Sequence, residues 1–518
     1  MLSWVSLLPP LIVVVAIFIT HRLNVSLLVG IASAVCIVTH GQLLPGLSLL
    51  SARVIEHFSD IGNIYLYASL IAISSLITLL TATGSAAACA QIIGKRMRTK
   101  KGVETSSILL SFLLSIDDYL SILTVGFVMR PLTDRLAVAR AKLAYIVHSL
   151  AGPLVVIVPI STWAATILAQ LDNAGINLES GNKIVADPFY VYLKTIPFMF
   201  YSLFTICSVW FVVHRKIAYG SMHQVEKNTV KVDEPLSVVL GQAKKHSLVE
   251  LFMPIGMLVC GVIFGILYAG NYHLFGGANS FFEAFRQNNQ TFFILFASGF
   301  MAFTASAVLL LSKKMISVAA LPRIIVEGII LMQAPIVMVI LASILGSFLR
   351  NDLHTGSYVA YLLLGTTPLY LIPAILFVTS LAITLTTGSA WGTFSLLIPI
   401  ATQMLIAFLQ LESPVVLSQI PILFPTLGAL LSGAVCGDHI SPFSETTTMT
   451  GTSTGMHPLE HTRTQFMYAL PVVIGTFVAF VVAGLLCASS LAVSFCASAG
   501  TGIMISFGLL VLGNKFYK

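Results

Sequence analysis

The sequence predicts an all-α, polytopic integral membrane protein, and three observations carry that expectation. Only 9% of the 518 residues are charged while 57% are hydrophobic, a balance that a water-exposed surface of this size does not tolerate without aggregation. Residues 465 to 514 contain no Asp, Glu, Lys or Arg, enough chain for two helices at roughly 20 residues per bilayer crossing. The apolar runs are too long for barrel strands, and lipid offers no partner to an unpaired backbone group, so helices are the spanning elements.

Taken in order, the first apolar run, Leu2 to Thr20, has no basic leader and no small-residue cleavage site, and reads as a retained first span. Residues 1–60 are then expected to form N-terminal transmembrane helices and 61–213 a first transporter repeat. Residues 214–248, of mixed charge, form a cytoplasmic linker, and 249–324 scaffold helices. Residues 325–490 form a second transporter repeat and 491–518 a C-terminal transmembrane helix. The strongest basic clusters, GKRMRTKK (94–101), Arg130 to Lys142 and His214 to His246, belong on the cytoplasmic side; the acidic loop from Asp172 to Asp187 belongs outside. The net charge of +7 therefore reports orientation and not nucleic-acid binding. The seven cysteines show no CxxC spacing and read as packing residues.

One segment conflicts with simple spanning. VETSSILLSFLLSIDDYLSILTVGFVM (103–129) has basic clusters on both flanks, so both its ends lie in the cytoplasm. A re-entrant hairpin satisfies this if its turn, near Ile116, Asp117 and Asp118, is buried in protein. The second half echoes the first. Leu143 to Thr162 aligns within the stretch Leu427 to Thr447, pairing Gly152 with Gly437 and Ser161 with Thr446, and the region around Asp117 corresponds to ITLTTGSAWGTFSLLIPI (383–400). The flanks of that second copy are poor in Lys and Arg, so it dips in from the outside. Two inverted-topology repeats with re-entrant hairpins and broken transmembrane helices are the signature of a secondary transporter with its site at mid-membrane.

A carboxylate at the bilayer centre costs at least ~2.5–3.5 kcal/mol on insertion scales, so acids there line a pathway or bind something. Asp117, Asp118, Asp438 and Glu445 are the acids most clearly embedded between apolar flanks. Burial favours the protonated form of a carboxylate and a nearby cation favours the ionised form, so a proton and a metal ion at one such group expel each other. Sodium is a hard cation that prefers oxygen ligands. The stretch GDHISPFSETTTMTGTSTG (437–455) offers them, with hydroxyls of Ser441, Ser444, Thr446 and Thr447 beside the acids and Gly437, Pro442 and Gly451 interrupting the helix. The plainer alternative for each hydroxyl is a helix cap or a bond to its own backbone.

Weaker candidates accompany these. His148 is either a hydrogen-bonded core residue or a proton relay. Thr386, Thr387, Ser389 and Trp391 mark the second hairpin, whose glycine permits close backbone approach. His457, Glu460 and His461 satisfy the H-x-x-E-H spacing of one zinc hydrolase class, but Pro458 sits in the first turn of the presenting helix and no third ligand is evident. An intramembrane metallohydrolase is thus a remote reading. No P-loop occurs, nor a GxSxG or dinucleotide fingerprint in a strand-to-helix context, which removes the main support for ATP-driven pumping and common hydrolases.

SIDDYLSILTVG (115–126), MRPLTD (129–134), RAKLAY (140–145), GDHISPFSETT (437–447) and HTRTQFMYAL (461–470) together resemble the hallmark stretches of the NhaC family of Na+/H+ antiporters, over roughly residues 60 to 490. The resemblance implies an inner-membrane cation/proton antiporter of the ion transporter superfamily, with inverted repeats and re-entrant hairpins. It assigns function to Asp117 and Asp118, to Asp438, and to Ser441, Ser444, Glu445, Thr446 and Thr447. In that pattern the acid before the paired threonines is usually aspartate, where this chain has Glu445, and the position of His148 often carries an acid. Relatives also exchange malate for lactate or move amino acids.

The resulting expectation is a non-enzymatic exchanger of Na+ for H+ by alternating access in the bacterial inner membrane, with Asp438 and Glu445 among the Na+ ligands. It needs no cofactor; its partners are membrane lipid, Na+ and H+, a homodimer being compatible with the sequence. The alternative is a Na+- or H+-coupled carrier of an organic solute such as an amino acid or carboxylate.

Overall fold

The computed structural model describes residues 4–20, 22–83, 99–178, 183–229, 249–281, 283–284, 290–364, 366–442 and 444–516. Most of the basic cluster at 94–101, and residues 230–248 of the expected linker, lie outside the described residues. The chain opens with α1 (Leu8–Thr20), α2 (Leu23–Val38), α3 (Leu43–Ser59) and α4 (Ile61–Thr83). A first unit follows: α5 (Lys100–Leu113), α6 (Asp118–Arg135), α7 (Arg140–Ile157) and α8 (Thr162–Asn173). Then come α9 (Pro188–Thr195), α10 (Phe200–Arg215), α11 (Gly220–Lys227), α12 (Val249–Ala269), α13 (Thr291–Ser312), α14 (Leu321–Ser347) and α15 (Thr355–Leu363). The second unit is α16 (Ile372–Thr387), α17 (Ala390–Phe408), α18 (Leu423–Ile440) and α19 (Glu445–Thr454), before α20 (Pro458–Leu485) and α21 (Leu491–Phe516). Ten described helices are long and apolar enough to cross a membrane, or up to eleven if the bent pair Pro188–Phe198 and Phe200–Arg215 is one span. The protein is a polytopic helical membrane protein.

The two units share one plan: a helical hairpin, then a helix broken in its course. α5 has 14 residues, a rise of ~21 Å against a hydrocarbon core of ~30 Å. It turns at 114–117 into α6, which packs back on it and on α7. α16 turns through Gly388, whose φ of +67° belongs to the left-handed region that glycine adopts without steric cost. α7 breaks at 158–161 before α8, and α18 breaks at 441–444 before α19. Each new helix starts on a polar side chain that satisfies a free backbone N–H. Asp117 accepts from Leu120 N at 2.9 Å, Ser161 from Ala164 N at 3.0 Å, Ser389 from Gly392 N at 3.2 Å and Ser444 from Thr446 N at 3.2 Å. Helix ends make Ser161 and Ser444 the equivalent caps. The alignment that pairs Ser161 with Thr446 is therefore two residues out of register, because sparse identities do not locate a break that capping geometry fixes.

A small parallel sheet orients the units. β1 (Ile176–Asn177) pairs with β2 (Ile184–Val185), with Ile176 opposite Ile184, and β2 pairs with β3 (Val415–Val416), with Ile184 opposite Val415. The chain leaving α8 therefore shares a face with the chain about to enter α18. α7 begins on the other face, where Lys142 Nζ donates to the Ile217 carbonyl at 3.1 Å and pairs with Glu226 of α11 at 3.1 Å. The two broken helices thus enter from opposite sides, the arrangement of an inverted repeat. Within the expected linker, α10 runs on to Arg215 and α11 is held near α20 by Tyr219 Oη donating to the Met467 carbonyl at 2.7 Å.

α18 approaches α16 through glycine. A Cβ on Gly437 would lie 2.5 Å from Thr384 Cβ and 2.7 Å from Leu385 N, so only a bare backbone fits.

Candidate functional site

The two hairpin turns and the two helix breaks meet. Thr162, at the first break, donates through Oγ1 to Asp117 Oδ2 at 3.0 Å and through its backbone N to the Ile116 carbonyl at 3.2 Å, tying the first turn to it. Ser441, at the second break, donates to the Leu385 carbonyl at 2.8 Å, tying the second turn to it. The units then cross-connect. Tyr119 Oη of the first hairpin donates to Glu445 Oε2 at 2.7 Å, and Trp163 after the first break packs on Trp391 of the second hairpin with centroids 5.2 Å apart.

At this junction Asp438 ends α18 as a buried carboxylate, 7% exposed. Ser444 Oγ donates to its Oδ1 at 2.6 Å and Thr446 Oγ1 to its Oδ2 at 2.8 Å. The break lets α19 fold its first turn back over the end of α18, which brings these hydroxyls to the acid. Because Thr446 spends its one proton on Asp438, His148 Nε2 at 3.0 Å must donate to Thr446. His148 Nδ1 is then an acceptor, facing Gln465 Nε2 at 3.0 Å and His461 Nε2 at 2.9 Å. His439 lies beside this array, linked to Tyr201 Oη at 2.6 Å and Ser149 Oγ at 2.9 Å, and its carbonyl accepts from Gln465 Nε2.

The acids differ in environment. Asp117 is a helix cap with both oxygens engaged. Asp118 is equally buried, interacts electrostatically with Asp117 and Asp438, and has the Trp163 indole N–H as its neighbouring donor, outside normal hydrogen-bond geometry to Oδ2. Glu445 is exposed on the rim of a cavity of ≈ 500 Å³ that also reaches Asp438, Thr446, Tyr119, Thr387 and Ser389. The hydroxyls separate in the same way. Ser444 and Thr446 face Asp438, whereas Thr447 donates to the Ser441 carbonyl at 2.7 Å and Thr386 to the Ala382 carbonyl at 2.8 Å, both backbone bonds. Thr387 accepts from Ser389 N at 3.3 Å, inside the turn.

The residues that sequence reasoning missed are His439, Gln465, Tyr201, Tyr119, Thr162 and Trp163, together with His461, which it singled out only as a zinc ligand. The stretches GDH and HTRTQ contain three of them, but nothing local announced their partners. His461 also dismantles the H-x-x-E-H pattern: it turns inward to His148 while His457 and Glu460 are exposed. Among the described residues no group of three His, Cys, Asp or Glu side chains is placed to hold a metal ion.

A second basin of ≈ 520 Å³ lies toward the sheet face, lined by Asp60, Asp172 and Asp187. Asp187 caps α9, accepting from Tyr190 N at 3.0 Å, and burial pushes its carboxyl up to about 7 although these bonds oppose the shift. The folded state therefore holds this proton more tightly than the unfolded chain, whose aspartate titrates near ~3.9. That contribution is complete below about pH 4 and lost as pH rises through about 7, at most roughly 4 kcal/mol. Asp187→Asn, which keeps a capping oxygen, should flatten the fall in Tm between pH 5 and 8; parallel profiles for variant and wild type would contradict this origin.

Apolar spans, paired hairpins and a carboxylate site at their junction define a secondary transporter. The chain belongs to the Na+/H+ antiporter family, whose profile matches residues 174–485. An uncharacterized protein of Haemophilus influenzae is 31% identical over 486 residues, covering 92% of this chain and 90% of that protein. Among solved structures, the YdaH transporter of Alcanivorax borkumensis shares the fold with a TM-score of 0.57 at 14% identity, over 85% of this chain and 88% of that one. A looser likeness, TM-score 0.44 at 11% identity over 90% and 84% of the chains, is to MtrF of Neisseria gonorrhoeae, described with a class of antimetabolite efflux pumps.

Proposed function

We propose that the protein exchanges Na+ for H+ across a bacterial inner membrane by alternating access, with Asp438 as the shared ligand. One observation carries this reading: Asp438 is buried on two hydroxyls, and among the described residues no lysine or arginine forms an ion pair with it. A buried carboxylate without a protein cation must take its neutralising charge from solution, as a proton or as a metal ion. Asp438, Ser444 and Thr446 are hard oxygen donors suited to Na+, and Glu445 on the cavity rim draws cations toward them. Asp118, buried beside Asp117 and Asp438, is the second proton carrier.

In proteoliposomes carrying a pH-sensitive dye, an imposed Na+ gradient should drive opposite proton movement in the absence of any organic solute. Apparent Na+ affinity should weaken as pH falls, because the proton competes for the same carboxylate. No Na+-dependent proton signal at any pH would sink the proposal.

A second reading is favoured by the cavity itself. Its ≈ 500 Å³, with Tyr119, Trp163, Trp391 and Arg22 in its walls, far exceeds one alkali ion and falls in the range of small-molecule sites. A coupled carrier would place an organic carboxylate there and use the acids for the coupling ion alone. Such a carrier would show flux stimulated by the organic solute at fixed Na+ and pH.

A further inference from the structure

A third cavity, of ≈ 310 Å³, lies between α1, α15 and the back of the second hairpin, away from the ion site. Its lining is hydrocarbon apart from two hydroxyls, and both are already used: Thr355 donates to the Ser6 carbonyl and Thr379 to the Ile375 carbonyl, each at 2.9 Å. Water needs two to four polar partners to reside in a cavity, and here only the spare lone pairs of two hydroxyls are on offer. An empty crevice of this size would forfeit dispersion contacts along its whole wall. Leu11 of α1 and Ile375 of α16 line the crevice and are 54% and 40% exposed, so it opens between two apolar helices of a membrane protein. The crevice is therefore continuous with the bilayer interior.

We infer that an acyl chain of a bilayer phospholipid enters between α1 and the second hairpin and occupies this crevice as a specific site. The chain reaches Ile383 and Leu396, five residues before Gly388 and seven after Ser389, so it braces the hairpin whose Leu385 carbonyl holds Ser441 at the helix break. Removal of the lipid leaves the hairpin without backing on that side, and transport slows although no ion ligand is touched.

The test uses full-length protein in liposomes containing a phospholipid with a photoactivatable diazirine in its acyl chain. After irradiation, adducts are expected on the α1, α15 and α17 peptides that line the crevice, in excess over other lipid-facing segments. Ala401→Phe, which fills the crevice from α17, should reduce those adducts at least fivefold while leaving adducts elsewhere unchanged. Ala401→Leu should give a smaller reduction and covers the case in which the phenylalanine variant does not fold. Labelling spread evenly over the lipid-facing surface, or unchanged in both variants, would overturn the site, as would labelling by a detergent-tail probe alone. In lipid-free detergent Ala401→Phe should also melt higher than wild type, and a lower Tm for both variants counts against it. Labelling requires no transport, so it is scored independently of which ion or solute the protein carries.

Discussion

Replacing Asp438 by asparagine should reduce Na+-coupled proton flux by roughly 100-fold or more, equivalent to about 2.7 kcal/mol of lost stabilisation along the transport cycle. The amide keeps one acceptor for the hydroxyls of Ser444 or Thr446, which lie 2.6 and 2.8 Å from the native carboxylate. It has neither a charge to attract Na+ nor a proton to exchange. Fold stability should hold or rise, since a buried ionisable group with no ion-pair partner is removed. Flux in proteoliposomes and Tm in detergent read the two effects separately. Wild-type flux in the variant would remove Asp438 from the mechanism, whereas a collapsed Tm would mark it as structural. Ser444→Ala should cost far less, about 1 kcal/mol, and appear as weaker apparent Na+ affinity.

The second large effect is steric. Gly437→Val should destabilise the protein by ~1–3 kcal/mol or more and abolish transport, because the added carbons meet Thr384 Cβ at 2.5 Å and the backbone of Leu385 and Leu381 at 2.7 and 2.8 Å. Backbone cannot yield as a flexible side chain does, so α16 must move away from α18. That movement strains the Ser441 bond to Leu385 and shifts Asp438, one residue from the substitution. Gly508→Ala, where an added Cβ finds nothing within 4 Å, is the matched control and should leave flux and Tm unchanged. A tolerated valine at 437 would show that the hairpin and the broken helix are not rigidly coupled.

Much of the architecture was legible because membrane proteins advertise it. Basic flanks on both sides of 103–129 exposed the first hairpin, and the glycine and polar residues of TTGSAW exposed the second. The acids themselves were equally visible, since hydrocarbon leaves few carboxylates to choose among. Their division of labour was not. Asp438 and Glu445 stand seven residues apart on either side of a helix break, and only the fold turns one inward and the other to a cavity rim. Likewise, His439 finds Ser149 across 290 positions and His148 finds His461 across 313. No local spacing encodes such a meeting. The two-residue error in repeat register has a similar origin: α7 and α18 share length and ending, but their faces carry different side chains because one backs the other.

The three short strands carry a mechanical implication. Val415 N donates to the Lys183 carbonyl at 2.9 Å, so the main chain that follows the first unit is buttoned to the main chain that leads into α18 at a single face. In the exchange cycle proposed above, any relative rotation of the units would pivot at that face, with displacement growing away from it. The opposite face, where Lys142 pairs with Glu226 of α11, would then swing through the wider arc.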